Sequence, residues 1–172
     1  RAAQQRALEA ARAAGSAEDE ARALGGLTDA AYAEGRLVTA SRHLEDHLAL
    51  CRTHGFARME ASYRPMYAIA LFSQLRLDDA EEQSRLAIAS RHIGHRRAEM
   101  IALHGAFMVA LYRGDASGAR SHAEQNIAIA RALGTALFEA EGLQQRSMTE
   151  HALGELDAAR ATIATALELA RR

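Results

Sequence analysis

A glycine recurs at a nearly constant interval along the chain. Successive copies stand 40, 39 and 40 residues apart, and they are Gly15, Gly55, Gly94 and Gly134. An arginine precedes each glycine by three residues, in RAAG, RTHG, RHIG and RALG, and an alanine follows each by 25 residues. Self-similarity at a fixed period of this length marks an array in which each repeat is one supersecondary unit. The spacing therefore predicts four similar units.

The apolar residues between these glycines have a helical period. In the second half of the first repeat they step by three or four, from Leu37 through Leu44 to Cys51. This step places them on one face of a helix, whereas a half-buried strand alternates with a period of two. Glycine supplies the left-handed residue that ends a helix, and an arginine in the last turn faces the negative end of the helix dipole. Each repeat glycine is therefore predicted to end a helix.

A second turn lies in the middle of each repeat. It contains Gly35, Gly114 or Gly154, and Leu75 replaces glycine in the second copy. Each repeat is thus predicted to be two antiparallel helices. We predict an all-α fold, a right-handed α-solenoid of antiparallel helical hairpins with about nine helices in one domain. Its units are an orphan helix at 1–14 and hairpins at 17–54, 57–93, 96–133 and 136–172.

The repeat resembles a known family. A turn glycine, an apolar residue two positions later, an alanine three further and then a pair such as Ala87-Ile88 or Ala166-Leu167 is similar to the tetratricopeptide repeat. The resemblance covers essentially the whole chain. The family's common repeat has about 34 residues, so this chain resembles the long variant found in bacterial LuxR-type and maltose-regulator-like transcription factors and related signalling proteins.

The resemblance implies a concave wall lined by one face of the first helix of each hairpin, and solenoids use such curved surfaces for binding. Besides Asp29, the register places on this wall Tyr32, Met66, Ile69, Phe72, His104, Met108, Tyr112, Gln144, Met148 and His151. Methionine and aromatic side chains suit a protein or peptide partner such as an amphipathic helix, or a small apolar ligand. The alternative is that most of these residues simply pack between helices.

Charge and composition exclude several partners. The formal net charge is −1, so no net field attracts nucleic acid or an anionic membrane surface. No apolar run approaches the ~20 residues that a membrane span needs. The single cysteine, Cys51, excludes an internal disulfide framework, and we expect a reducing, cytoplasmic setting.

The motifs of common active sites are missing from the sequence. His43 and His47 are spaced as i and i+4 in HLEDH, but a third metal ligand is not indicated and His47 falls at a core position. Cys51 lies in the apolar stripe, and we interpret it as packing material. We therefore expect no enzyme activity, no catalytic residue, no metal and no cofactor.

Two departures from the repeat stand out. Pro65 lies inside the first helix of the second hairpin, where a kink or a local break is expected, either as a tolerated bend or as the opening of a ligand site. In the last hairpin Arg146, Ser147 and Glu150 replace the apolar residues of earlier repeats. That repeat is expected to be frayed or to be covered by another element.

The expected function is a binding scaffold, the sensor or interaction region of a larger bacterial transcriptional regulator or signalling protein. Both ends cut through a repeat and carry no polar cap, so we expect a fragment of a longer array. The alternative is a free-standing adaptor or self-assembling scaffold. Exposed apolar ends could then join two copies as a homodimer.

Overall fold

The computed structural model describes residues 2–171, and Arg1 and Arg172, the outermost residues of the predicted orphan helix and last hairpin, lie outside it. Within residues 2–171 the chain forms nine α-helices, one turn of 3-10 helix and no strand. The α-helices are α1 (Ala2–Ala14), α2 (Ala17–Ala33), α3 (Leu37–His54), α4 (Ala57–Phe72), α5 (Leu77–Ala89), α6 (Arg96–Tyr112), α7 (Ala116–Ala132), α8 (Ala136–Ala152) and α9 (Leu156–Ala170). The all-helical prediction is confirmed.

Each helix packs against the next one along the chain, which gives a solenoid of helical hairpins. We call α2, α4, α6 and α8 the first helices and α3, α5, α7 and α9 the second helices. α4 and α6 also pack directly against each other. A Cβ added at Gly105 of α6 would lie at an ordinary contact distance of 3.6 Å from the Cβ of Ala68 in α4, but only 2.9 Å from Ser84 Oγ in α5, so glycine here favours close packing of α6 on α5.

The repeat glycines end helices as predicted. Gly15, Gly55, Gly94 and Gly134 have φ between 65° and 78°, the left-handed region that glycine enters without steric cost. The small alanine that stands 25 residues after each repeat glycine allows neighbouring helices to pack closely. Ala119, for example, is completely buried against Phe107 and Ala123.

Leu75 occupies a glycine position of the mid-hairpin turn. Its φ is 59°, and it is the single non-glycine residue with positive φ in residues 2–171. Its amide donates to Phe72 O at 2.8 Å, as the amide of Gly114 donates to Leu111 O at 3.1 Å. The side chain is 65% exposed, so no packing offsets the backbone strain, which is about 1–2 kcal/mol for an L-residue.

Leu75→Gly is therefore expected to raise the free energy of unfolding by about 1 kcal/mol, measured by urea denaturation. The matched control is Gly114→Leu, which introduces the same strain at the equivalent turn and should lower stability by a similar amount. Equal stability of Leu75→Gly and the parent would contradict the assignment of strain.

Pro65 lies inside α4, yet α4 runs as one α-helix from Ala57 to Phe72, so the expected local break is absent. A proline removes one hydrogen bond and presses on the preceding turn. Here its ring is fully buried within the helical array.

The second hairpin ends differently from the others. After α5 the chain tightens into a 3-10 turn, Ser90–Ile93, before Gly94. The hydroxyl of Ser90 donates to Leu86 O at 3.0 Å, and such back-bonding competes with the regular helix at its end. Among residues 2–171, every helix is too short or too polar to span a lipid bilayer.

Candidate functional site

Side chains from all four first helices surround a pocket of about 290 Å³, which we call the central pocket. Its apolar walls come from three neighbouring first helices, and they are Met66 and Ile69 of α4, Met100 and Ile101 of α6 and Phe138 of α8. The remaining lining residues are Tyr32 of α2, His104 of α6, Asn126 of α7 and Glu141 of α8. A mainly apolar cavity with a few converging polar groups is the usual form of a ligand site.

The polar residues of the central pocket are linked by hydrogen bonds through Gln145. Asn126 Nδ2 donates to Gln145 Oε1 at 3.3 Å, and Gln145 Nε2 donates to His104 Nδ1 at 2.8 Å. Glu141 Oε1 lies 3.2 Å from the same His104 Nδ1. Side chains of α6, α7 and α8 thus form one series of polar contacts along the side of the apolar pocket.

Asn126 Oδ1 has an unusual environment. Asn126 is only 5% exposed, and Oδ1 accepts no hydrogen bond from any residue in the described part of the chain. Most buried polar atoms in folded proteins have a partner, so each exception requires an explanation. Asn126 lines the central pocket, which makes a ligand one such explanation.

A larger groove, which we call the end groove, lies on α8 and α9. It measures about 870 Å³, and its lining includes Leu111 and, among the predicted wall residues, Gln144, Met148 and His151. Leu156 and Ile163 of α9 form its other side. Met148 and Leu156 are large apolar side chains left exposed to solvent.

The ten predicted wall residues therefore fall into three groups. Tyr32, Met66, Ile69 and His104 meet in the central pocket, whereas Gln144, Met148 and His151 line the end groove.

The third group lines neither site. The rings of Phe72 and Tyr112 meet edge to face with centroids 5.9 Å apart, and Met108 packs beside Phe107. Asp29, placed beside the wall, accepts a hydrogen bond from the Tyr63 hydroxyl at 3.2 Å. That carboxylate also contributes, after burial, to raising the pKa of Tyr63 to about 12.

Five lining residues of the central pocket were missed from the sequence: Met100, Ile101, Asn126, Phe138 and Glu141. Asn126 offered a signal, because it interrupts the apolar stripe of α7 between the buried residues Ala123 and Ile127. A polar residue at a core position indicates that the packing there differs from the apolar packing of the other repeats. The other four have no such mark in the sequence.

His47 and Cys51 occupy the core, as expected for α3. Both are fully buried, His47 Nδ1 lies 2.8 Å from Ala21 O, and the His47 ring packs 4.6 Å from that of Tyr63. Burial raises the pKa of Cys51 to about 11, aided by the nearby charge of Glu60. The thiol is therefore protonated near neutral pH, and a protonated thiol is a poor nucleophile.

The polar residues of the last hairpin are not frayed. Ser147 and Glu150 are buried within regular helix α8. Ser147 Oγ donates to Ala159 O of α9 at 2.9 Å, and Arg146 Nε donates to Glu150 Oε1 at 2.8 Å. Local hydrogen bonds therefore accommodate them.

No profile of a known protein family matches the chain, and no curated protein matches it. Among solved structures, the crystal structure of BtubC (BKLC) from P. vanneervenii is similar, with a TM-score of 0.80 and 15% sequence identity. The similarity covers 90% of this chain, which spans 65% of the length of that one. At this level of identity the likeness establishes a shared helical fold alone.

Proposed function

We propose that this chain is a non-catalytic binding scaffold of the tetratricopeptide type, acting in the bacterial cytoplasm as the sensor or interaction region of a larger transcriptional regulator or signalling protein. The observation that carries the proposal is the central pocket, to which every hairpin contributes at least one side chain. A ligand held there contacts all four hairpins at once. Binding would therefore stabilise the arrangement of the whole array.

The end groove supports a second mode of binding, to an amphipathic helix. Ile127 of α7 is buried beneath α8, and Gly142 of α8 allows the close approach. Leu167 of α9 stands 40 residues later at the equivalent position, and it is exposed. In the part of the chain that the structure describes, Leu167 is thus exposed at a position where α7 is covered by a helix, although Leu167 does not itself line the end groove. An apolar helix face would cover it.

A peptide-binding experiment tests this proposal. The chain contains no tryptophan, so an amphipathic helical peptide with one tryptophan on its apolar face can be followed by its own fluorescence. We expect a blue shift and saturable binding because the tryptophan enters the end groove. Leu156→Asp should weaken binding about ten-fold or more, since it places a charge in an apolar contact.

The matched control is Val38→Asp on α3. Val38 and Leu156 are similarly exposed, at 55% and 49%, but Val38 does not line the end groove. Both variants should fold, since neither side chain is in the core. Equal loss of binding in the two variants, or no binding by the parent, would count against the scaffold.

Self-assembly is the second candidate function, either as a free-standing adaptor or as a homodimer. It is favoured by four exposed apolar residues on α8 and α9, which are Leu137, Met148, Leu156 and Leu167. Such patches commonly mark interaction sites. Light scattering separates the two candidates: a dimer that Leu156→Asp converts to a monomer supports self-assembly, whereas a concentration-independent monomer leaves the groove to a different partner.

A further inference from the structure

We infer that the central pocket binds a small organic cation, an amine or guanidinium group carried on an apolar stem. The inference rests on the proposed binding function and specifies the chemistry of its ligand. Four observations support it: the volume of the pocket, its apolar walls, the unpartnered acceptor atom of Asn126 and the carboxylate of Glu141.

The volume limits the ligand to a small molecule or one side chain. A water molecule occupies about 30 Å³ of liquid, so a pocket of about 290 Å³ is too small for a helix. Pockets for drug-sized ligands begin at about 300 Å³. A short alkyl or aryl chain with one polar head fits this space, whereas the helix proposed above belongs in the larger end groove.

The walls select an apolar stem. Met66 and Ile69 face the pocket from one helix and Met100 and Ile101 from the next, with Phe138 from α8. Methionine side chains are unbranched and polarizable, and they adapt to irregular ligands and to aromatic rings. The stem would therefore be held by contact area and not by directional bonds.

The polar groups select a donor. Asn126 Oδ1 is an acceptor without a partner, and solvent does not reach it in the unliganded pocket. Met100 also lines the pocket and is buried, and its unbranched side chain can change rotamer to admit a ligand. A ligand nitrogen carrying hydrogens would supply the missing bond, and removal from water makes an unmade bond unfavourable.

Glu141 adds the preference for positive charge. His104 Nδ1 accepts from Gln145, so Glu141 Oε1 at 3.2 Å from that nitrogen faces a second acceptor. A ligand cation bound beside Glu141 on the pocket side would satisfy the carboxylate. Apart from His104, Glu141 is the one acid or base among the lining residues, so no fixed positive charge of the pocket competes with the ligand.

The test is a matched ligand series of one size. We expect 2-phenylethylamine to bind at least ten-fold more tightly than 2-phenylethanol and phenylacetate in a ligand-observed NMR titration. Glu141→Gln should remove most of this preference, and Asn126→Leu should weaken amine binding. Glu124→Gln, on the exposed side of α7, is the matched control and should leave all three affinities unchanged.

Each outcome decides the inference. Equal binding of all three compounds, or a preference for phenylacetate, overturns it. Glu141 is partly exposed, so Glu141→Gln should fold even if Asn126→Leu does not, and melting curves will show which variants are folded. If the helical peptide still binds when neither the amine nor the arginine tripeptide described below binds more tightly than its uncharged counterpart, the cation site is wrong and the scaffold stands. If none of these ligands binds, both proposals fall.

A second pair of ligands distinguishes the source of the cation. An acetylated Ala-Arg-Ala amide is compared with the same tripeptide containing citrulline, which has the shape of arginine without the charge. Tighter binding of the arginine peptide, with no binding of the free amine, identifies a basic side chain of a peptide. Binding of the free amine identifies a small metabolite-like ligand. Both results support the cation site, and equal binding of the two peptides with no amine preference rejects it.

Discussion

Replacing Glu150 by leucine is expected to raise the free energy of unfolding by about 2 kcal/mol. Glu150 is 2% exposed, and its Oε2 has no hydrogen-bond partner within residues 2–171. Two repeats earlier in the sequence, the equivalent residue is Leu71, which is fully buried in an apolar cluster. Replacing buried ionic groups by apolar residues of similar volume is often stabilising, by about 1–4 kcal/mol. The remaining partner, Arg146, has a side chain that is 45% exposed, so it stays solvated when Glu150 is replaced.

Urea denaturation with the midpoint and slope fitted separately measures this effect. Glu168→Leu is the matched control on the exposed surface of α9 and should change stability by less than about 0.5 kcal/mol. Arg146→Ala should be destabilising because it leaves the buried carboxylate of Glu150 without its ion-pair partner. A Glu150→Leu variant less stable than the parent would show that the carboxylate has a stabilising partner that offsets its burial.

Gly142→Ala is expected to lower the free energy of unfolding by about 1–2 kcal/mol, which is the cost of overpacking less the helix propensity that alanine gains over glycine. A Cβ at this position of α8 would lie 2.7 Å from Ile127 Cγ1, 3.2 Å from Ile127 N and 3.4 Å from Ile127 Cα. Backbone atoms of α7 cannot rotate away as a side chain can, so the two helices must separate. Overpacking of this kind typically costs about 1–3 kcal/mol, occasionally more.

Gly26→Ala is the matched control, because Gly26 also lies inside a helix. Its added Cβ would meet only the amide end of the Gln4 side chain, which can swing towards solvent. Alanine is favoured over glycine in a helix by about 0.8–1.0 kcal/mol, so Gly26→Ala should be neutral or stabilising. Equal effects of the two substitutions in thermal unfolding would mean that α7 and α8 can move apart freely.

The helical elements could be predicted from the sequence because their determinants are local. Many helices end at a residue with positive φ, which glycine adopts readily. Gly55 and Gly94 occupy two such positions and have positive φ. A buried face needs apolar residues at intervals of three and four, and those intervals are visible along a single helix. Leu75 was recognised as the departure in this pattern, and its positive φ shows that the turn geometry is retained despite the side chain.

The candidate site could be predicted only in part, because it depends on the offset between hairpins. The repeat register identified the faces of Tyr32, Met66, Ile69 and His104, but it did not bring Asn126 or Phe138 to the same place. Asn126 belongs to a second helix, so a rule that selects first helices leaves it out. Gln144, Met148 and His151 were predicted to share one wall with these residues, yet they line the separate end groove.

The sequence by itself determined the repeat length, the helices with their ends, and the small residues at which helices meet, since each follows from local periodicity and backbone preference. Only the tertiary structure decided how far each hairpin shifts against the next, because that shift depends on the packing of residues such as Gly105 and Gly142 against neighbouring helices. The packing of the hairpins brings residues of all four together at the central pocket, where Asn126 Oδ1 has no partner within residues 2–171. Contacts between residues of different hairpins are set by three-dimensional packing, which no single period along the chain contains.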